Sequence, residues 1–247
     1  MWLVRSCKEI KLSLVAAGVQ TINADLHCHS RQSDGVFSPV ELARRAHGNG
    51  VQLWALTDHD DVSGIGQARI AAHEYGLTFL AGVELSVTFA GKTVHVVGLG
   101  IDETHPVLQR GLDQLRQDRD ARAAEIAHKL ALAGFEGAYE GALAHVQNPT
   151  LVSRTHFARH LHQAGHVKTM QEAFDRYLGD QGTAFVPTEW ASLEDAVQWI
   201  LAASGVAVIA HPGRYKYSDL QFDALFNQFR ELGGQAIEVH TGSHQLH

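Results

Sequence analysis

Cysteine is scarce: two residues in 247, Cys7 and Cys28, are too few for a disulfide framework, which excludes the small disulfide-stapled class and fits a reducing cytoplasm. Positive charge is short as well. Lys and Arg number 20 against 27 Asp and Glu, a net charge of −7, so there is no basic field of the kind that draws a protein to long duplex DNA. A nucleotide partner is therefore expected to be small or short. Long apolar runs are also lacking. Leu12 to Ala17, behind Arg5, Lys8 and Lys11, is too short to cross a membrane, and no clear cleavage pattern precedes Asp25. Residues 1–20 read as a poorly packed leader, and no membrane association is expected. No internal repeat or low-complexity tract occurs.

What is present is an ordinary globular composition, 45% hydrophobic and 19% charged, which argues against disorder. Within it lies Asp25-Leu26-His27-Cys28-His29-Ser30, with Asp34 just beyond, at the end of a first strand expected over 22–27. In extended chain His27 and His29 point to one side, so two imidazoles can reach one ion. The pair has company: Thr57-Asp58-His59-Asp60, Gly82-Val83-Glu84-Leu85, His95 and Ala210-His211-Pro212-Gly213 each fall at or near the end of an apolar, strand-like run. Independent surface histidines would not keep falling at that place.

Between these points the pattern alternates. Ser38-Pro39-Val40-Glu41 opens a helix as a capping box with Pro at its first position. Val51 to Thr57 is a near-continuous apolar run, as expected of a parallel strand covered on both faces. A helix over 63–75 closes at Gly76, and a strand over 77–86 is followed by Ala90-Gly91-Lys92, which turns the chain back into Thr93 to Leu99. Such alternation predicts an α/β fold with a parallel sheet. From His105 the composition shifts to charged helix (Gln114 to Arg122), with further helices over 136–146, 153–163 and 169–178. After Val186-Pro187 the α/β pattern resumes, ending in a strand over 235–239. The expected organisation is a leader over 1–20, a first barrel part over 21–102, a helical insertion over 103–183 and a second barrel part over 184–247.

The series D-L-H-C-H-S…S-D-G, T-D-H-D, G-V-E-L-S, V-H-V-V-G-L, S-R-T-H-F-A-R and A-H-P-G-R-Y resembles the PHP (polymerase and histidinol phosphatase) superfamily. Within it the likeness is to the RNase AM/TrpH group of 3′,5′-nucleoside bisphosphate phosphatases and short-RNA 5′→3′ exonucleases. The resemblance implies a distorted (β/α)7 TIM-like barrel with up to three divalent metal ions, commonly manganese, at the strand ends. By motif, His27 and His29 would share one ion with Glu84. Glu84 would bridge to a second ion held by His95 and His211, and Asp34 with His59 would hold the third. Arg154 and His156, in Ser153-Arg154-Thr155-His156-Phe157, fall in a stretch similar to the family's phosphate-binding segment, and Arg214 is a further candidate to reach phosphate.

The chemistry supports those residue types. A phosphate ester is anionic and repels hydroxide, so a divalent cluster both supplies a low-pKa water and neutralises charge on the phosphoryl oxygens. Imidazoles with a few carboxylates suit manganese, iron or zinc, whereas a magnesium-only site would be richer in oxygen. Asp58 and Asp60 read either as partners orienting the histidines or as caps of the next helix. The family's usual terminal G-S-D-x-H motif has no counterpart here, so the last strand and helix of the barrel are expected to be missing. Two other readings compete with the phosphoesterase: a metal-dependent amidohydrolase barrel, which usually carries a bridging Lys where this chain has Glu84, and an inactive metal-binding fragment.

Overall fold

The computed structural model describes residues 22–239 and 241; the leader and Gly242-Ser243-His244 lie outside them. The chain begins as a βαβαβ run: β1 (Ala24–Asp25), α1 (Pro39–Gly48), β2 (Leu53–Leu56), α2 (Ile65–Glu74) and β3 (Thr78–Phe89). These three strands pair in parallel, Ala24 against Leu53 and Leu53 against Thr78. α1 starts as its residues dictate: the Ser38 hydroxyl accepts the Glu41 N–H, and Pro39 occupies a position with no helical partner for an N–H.

β4 (Lys92–Leu99) then departs from the parallel sheet expected from the alternation, for it pairs antiparallel with β3. The connection decides this. Ala90 (φ 48°) and Gly91 (φ 73°) make a two-residue turn with both residues in the left-handed region, the geometry that closes a hairpin, whereas a parallel crossover needs a dozen residues or more.

Four helices follow: α3 (Pro106–Leu132), α4 (Ala138–Leu143), α5 (Arg154–Gln163) and the short α6 (Met170–Ala173), which runs on as a wider π turn through Leu178. α7 (Leu193–Ala202), β5 (Val206–Ile209), α8 (Asp219–Glu231) and β6 (Ala236–Ile237) complete the described chain. β5 is antiparallel to β4 and parallel to β6. The result is one six-stranded sheet in the order β1-β2-β3-β4-β5-β6, a curled half-barrel rather than seven parallel strands in a closed ring among the described residues.

Both edge strands are shorter than expected, two residues each. Beyond Asp25 the chain leaves the ladder because its polar groups are taken by loop residues: Cys28 N–H donates to Thr57 Oγ1 (3.1 Å) and Thr57 N–H to the Cys28 carbonyl (3.0 Å). The histidine pair thus sits on extended chain anchored outside the sheet.

Two large cores hold the described residues together. The larger packs the sheet against helices, with Trp54, Leu85, Val96 and Ile200 buried. A second, built from Ile126, Leu130, Phe157, Leu161 and Leu178, belongs to the helices between Pro106 and Leu178. α3 serves both. Leu108, Leu112 and Leu115 enter the first core, Ala123, Ile126 and Leu130 the second, and its 27 residues span roughly 40 Å at 1.5 Å each. Gly111 makes the α3 to α7 contact close, since a Cβ there would stand 2.4 Å from the Trp199 ring. No described helix is long and apolar enough to cross a membrane.

Candidate metal centre

Glu84 is the hub. β3 runs past the end of β2, so at Glu84 its backbone pairs with the loop after β2: Glu84 N–H donates to the Asp58 carbonyl (3.1 Å) and Asp60 N–H to that of Glu84 (3.0 Å). The carboxylate is 1% exposed and five imidazoles surround it. On one oxygen, Oε1, converge His211 Nε2 (2.9 Å), His95 Nδ1 (3.1 Å) and His27 Nε2 (3.3 Å). On the other, Oε2, converge His59 Nδ1 (3.0 Å) and His29 Nε2 (3.1 Å), with Asp34 Oδ1 3.5 Å from His29 Nδ1. All seven expected ligands line one cavity of about 800 Å³.

The partition differs in emphasis from the motif assignment. Groupings tight enough for one ion are His27 with Glu84 and His211, and His29 with His59 and Glu84. His27 and His29 nonetheless stand 3.1 Å apart through their Nε2 atoms, so an ion between them also fits.

Each side chain is placed by the backbone beneath it. His95 lies two residues from Val97, the cross-strand partner of Glu84, and so shares its face. Val97, Leu99 and Val208 form the apolar floor beside them. The Tyr215 hydroxyl accepts the His95 N–H (2.8 Å) and donates to the Ala210 carbonyl (2.8 Å), tying β4 to the end of β5. His211 sits at φ 30°, a left-handed conformation costing on the order of 1–3 kcal/mol, and it is held there at both ends. Its N–H donates to Glu238 Oε2 (2.6 Å) while its ring meets Glu84. Gly35 fits under the Asp34 loop because a Cβ would lie 2.1 Å from the His29 carbonyl oxygen.

The two aspartates flanking His59 hold backbone around the centre instead of capping α2, whose N-cap is Gly64 without a side-chain bond. Asp58 accepts the Ser30 N–H (2.7 Å), the Ser30 hydroxyl (2.6 Å) and the Ser33 hydroxyl (2.6 Å), fixing the loop that carries Asp34. Asp60 binds Ser86 and Arg119.

Electrostatically the centre is set for cations. Burial alone would raise Glu84, yet the surrounding imidazoles, His59 and His95 foremost, hold it well below the carboxylate range. Asp34 is likewise lowered, burial being outweighed by His59 and His29. Burial also works against a charged His27, but Glu238 and Glu84 overcome it and lift the ring to about 10. Burial drives His59 well below its usual value. One carboxylate cannot satisfy five rings. His59 Nδ1, facing Glu84, and His29 Nδ1, facing Asp34, are buried without a hydrogen bond. That donor set of buried imidazole nitrogens around a bridging carboxylate fits divalent metal ions.

Glu238, past the end of β6, is the functional residue that motif reading missed. Its Oε1 lies 2.7 Å from His27 Nδ1, joining the two edges of the described sheet and fixing the orientation of that imidazole. The available signal was positional, since the loops after β2 and β5 also carry a chemically active side chain, His59 and His211. Glu238→Gln is expected to weaken metal binding about 10- to 100-fold, because a carboxylate behind a ligating His sets ring orientation and basicity. Metal titration of variant and wild type measures this; equal affinities would assign Glu238 to sheet closure alone.

The expected phosphate residues separate. Arg214 lines the cavity. Arg154 does not: its guanidinium donates to the Leu178 carbonyl (3.2 Å) and lies 3.8 Å from Asp180, although the next residue, Thr155, donates to Asp34 Oδ2 (3.0 Å). His156 needs correction as a phosphate contact. It is fully buried, and its Nδ1 accepts the Ser153 N–H (3.0 Å) to close the capping box of α5.

Burial pushes His156 down to about 4 from 6.5, so the folded ring stays neutral where the unfolded one takes a proton. Stability from this group is therefore lost as pH falls from 6.5 to about 4, by up to about 3 kcal/mol. His156→Gln keeps a capping-box acceptor and removes the titration. Denaturant melts should show the variant gaining on wild type through that window; a constant difference would mean the ring is not held neutral by burial.

A half-barrel that gathers histidines and carboxylates in one cavity defines the class of α/β proteins built to hold catalytic metal. Within it, the chain belongs to the PHP domain family, whose model matches residues 25–241. It is 48% identical over 224 residues to the 3′,5′-nucleoside bisphosphate phosphatase of Chromobacterium violaceum, covering 91% of this chain and 79% of that one. It is 40% identical over 217 residues to the 5′-3′ exoribonuclease Rnm of Escherichia coli, covering 87% and 74%. Among solved structures it matches one from Chromobacterium violaceum described as an amidohydrolase with bound SO4 and no metal, at TM-score 0.88 and 48% identity, covering 90% of this chain and 78% of that one. A Bifidobacterium adolescentis structure described as a metal-dependent phosphoesterase matches at TM-score 0.80 and 28% identity, covering 89% and 78%. The protein is a metal-dependent phosphoesterase, a hydrolase of phosphate esters.

Proposed function

We propose that the chain hydrolyses phosphate esters of small nucleotides, 3′,5′-nucleoside bisphosphates or short 5′-phosphorylated RNA, in the cytoplasm. The observation that carries this reading is the Glu84 carboxylate with five imidazoles on its two oxygens. Relatives named for both substrates support it. His27, His29, Asp34, His59, Glu84, His95 and His211 would hold up to three divalent ions, manganese for preference over iron, zinc or magnesium. Bound there, divalent ions lower the pKa of a water and neutralise charge on the phosphoryl oxygens.

The chain's own residues do the rest. Arg214 at the cavity wall faces an entering phosphate with a fixed fork of donors. Val97, Leu99 and Val208 keep one side of the cavity dry, which strengthens every charge interaction inside it. Asp58 and Glu238 keep loop and imidazole in place.

The test is phosphate release from adenosine 3′,5′-bisphosphate and from a 5′-phosphorylated oligoribonucleotide, by purified chain loaded with manganese, beside an anilide as an amide substrate. Cleavage of either phosphate substrate with the anilide intact is expected. Amide cleavage without phosphate release would replace this reading by the amidohydrolase one.

A further inference from the structure

The antiparallel ladder between β4 and β5 runs from Leu99 opposite Val206 to Val96 opposite Ile209. One register step further stand His95 and Ala210, the residue before His211. Opposed residues of the hydrogen-bonded type exchange both N–H to carbonyl bonds. Only one is direct here: the Ala210 N–H donates to the His95 carbonyl (3.0 Å). The return bond passes through a side chain, for the Tyr215 hydroxyl accepts the His95 N–H (2.8 Å) and donates to the Ala210 carbonyl (2.8 Å). A hydroxyl has the donor and the acceptor that this gap requires, and standing between the two groups it holds them farther apart than a direct bond would.

The gap opens beside the metal centre. His95 and His211 bring Nδ1 and Nε2 to the same Glu84 oxygen, at 3.1 Å and 2.9 Å, and those nitrogens stand 3.4 Å from each other. Tyr215 touches both residues: its hydroxyl holds the backbone of His95, and its ring meets the His211 ring at 5.6 Å and 70°. Local sequence delivers it there. The left-handed turn at His211 (φ 30°) and the single tight helical turn Pro212–Arg214 send the chain back, so Tyr215 reaches into the ladder the chain has just left. His29 and His59, on the other Glu84 oxygen, are carried by the loops after β1 and β2 instead.

We infer that Tyr215 is a positioning residue whose hydroxyl, inserted in the β4–β5 ladder, sets the gap between His95 and His211 and so the affinity and size preference for the cation beside Glu84 Oε1. This deepens the metal reading of the site and rests on it, but not on which phosphate ester is cleaved. A gap propped open favours manganese, the larger ion, over zinc, since geometry rather than raw affinity selects among such metals. Without the hydroxyl the His95 N–H and the Ala210 carbonyl are free to close on each other, and the two imidazoles lose the spacing that the wedge imposes.

The test compares Tyr215→Phe with Tyr217→Phe in the full chain. Tyr217 is the control because its hydroxyl anchors the same loop, to the Phe89 carbonyl at the end of β3. In calorimetric titrations without substrate, Tyr215→Phe should bind one manganese ion about 10- to 100-fold more weakly than wild type, with other bound metal unchanged and a smaller loss for zinc. The visible absorption bands of the cobalt-loaded protein, which report ligand geometry, should shift in Tyr215→Phe and stay in place in Tyr217→Phe. Melts in chelator should show both variants folded and destabilised alike. Equal weakening of every ion, an equal loss for manganese and zinc, the same loss in Tyr217→Phe, or a Tyr215→Phe that no longer melts cooperatively would each make the hydroxyl a structural tie and overturn the inference. Unchanged metal binding and spectrum in Tyr215→Phe would overturn it while leaving the metal reading intact; a wild type that binds no divalent ion would refute that reading and the inference together.

Discussion

Glu84→Gln should leave the chain folded and nearly inert: metal content below one ion per chain, and phosphate release down roughly 10³-fold or more. The substitution keeps shape and volume, so packing in the buried pocket is not what changes. The negative charge is. His27, His95 and His211 meet one oxygen of this carboxylate, His29 and His59 the other. An amide offers one weak acceptor and a donor that points at imidazole nitrogens, so it would neither hold divalent ions there nor balance their charge. Metal-derived charge stabilisation is worth several kcal/mol, and at 1.36 kcal/mol per decade that scale gives the loss stated. Removing the metal from wild type with a chelator should reproduce the rate loss reversibly. Elemental analysis beside a bisphosphate assay decides it: two ions retained, with turnover within tenfold of wild type, would remove Glu84 from the centre of the chemistry.

Much of this site was legible in the sequence because strand ends are marked by short apolar runs, and a residue just past such a run lands at one rim of the sheet. His27, His59 and His211 follow that logic, Glu84 lies within β3 where that strand runs past the end of β2, and the structure brings all four into one cavity. What the residues did not disclose is direction. Ala90-Gly91 announces a hairpin, yet the surrounding alternation of strand and helix suggests a parallel sheet, and local turn geometry won. Length at the edges was also overread. The first strand, expected over 22–27, ladders only at Ala24–Asp25, and beyond it the backbone of Cys28 bonds to Thr57 and that of Ser30 to Asp58. Glu238 and Tyr215 were hidden for a different reason: each acts on a partner more than 25 residues away, and spacing along one chain carries no record of such meetings. Arg119 shows this most plainly, for within Gln114 to Arg122 it spells like any other charge on a solvated helix.

Buried at 7% side-chain exposure, Arg119 donates to Asp60 Oδ2 (2.5 Å) and to the Ser86 hydroxyl (2.8 Å). Asp60, with no exposed side chain, also accepts the N–H (2.8 Å) and hydroxyl (2.9 Å) of Ser86. Its backbone is left-handed at φ 50°, and its N–H holds the Glu84 carbonyl. The pair therefore joins α3, at the point where that helix passes from one core to the other, to the loop that positions His59. Arg119→Met should cost about 3–5 kcal/mol, because it strands a buried carboxylate with only Ser86 for company. Asp60→Asn with Arg119→Met should cost less than the two single changes together, with a coupling of about 0.5–3 kcal/mol, since neither charge is then left alone. Metal affinity should also drop about 10- to 100-fold in Arg119→Met, as His59 and the Glu84 backbone lose their fixed neighbour. Denaturant melts of the full cycle with metal titration of each variant test both halves. Additive stabilities, or full metal affinity in a destabilised Arg119→Met, would show that α3 docks independently of the centre; a coupled loss of both would make the helical region's seat on the sheet part of the metal site itself.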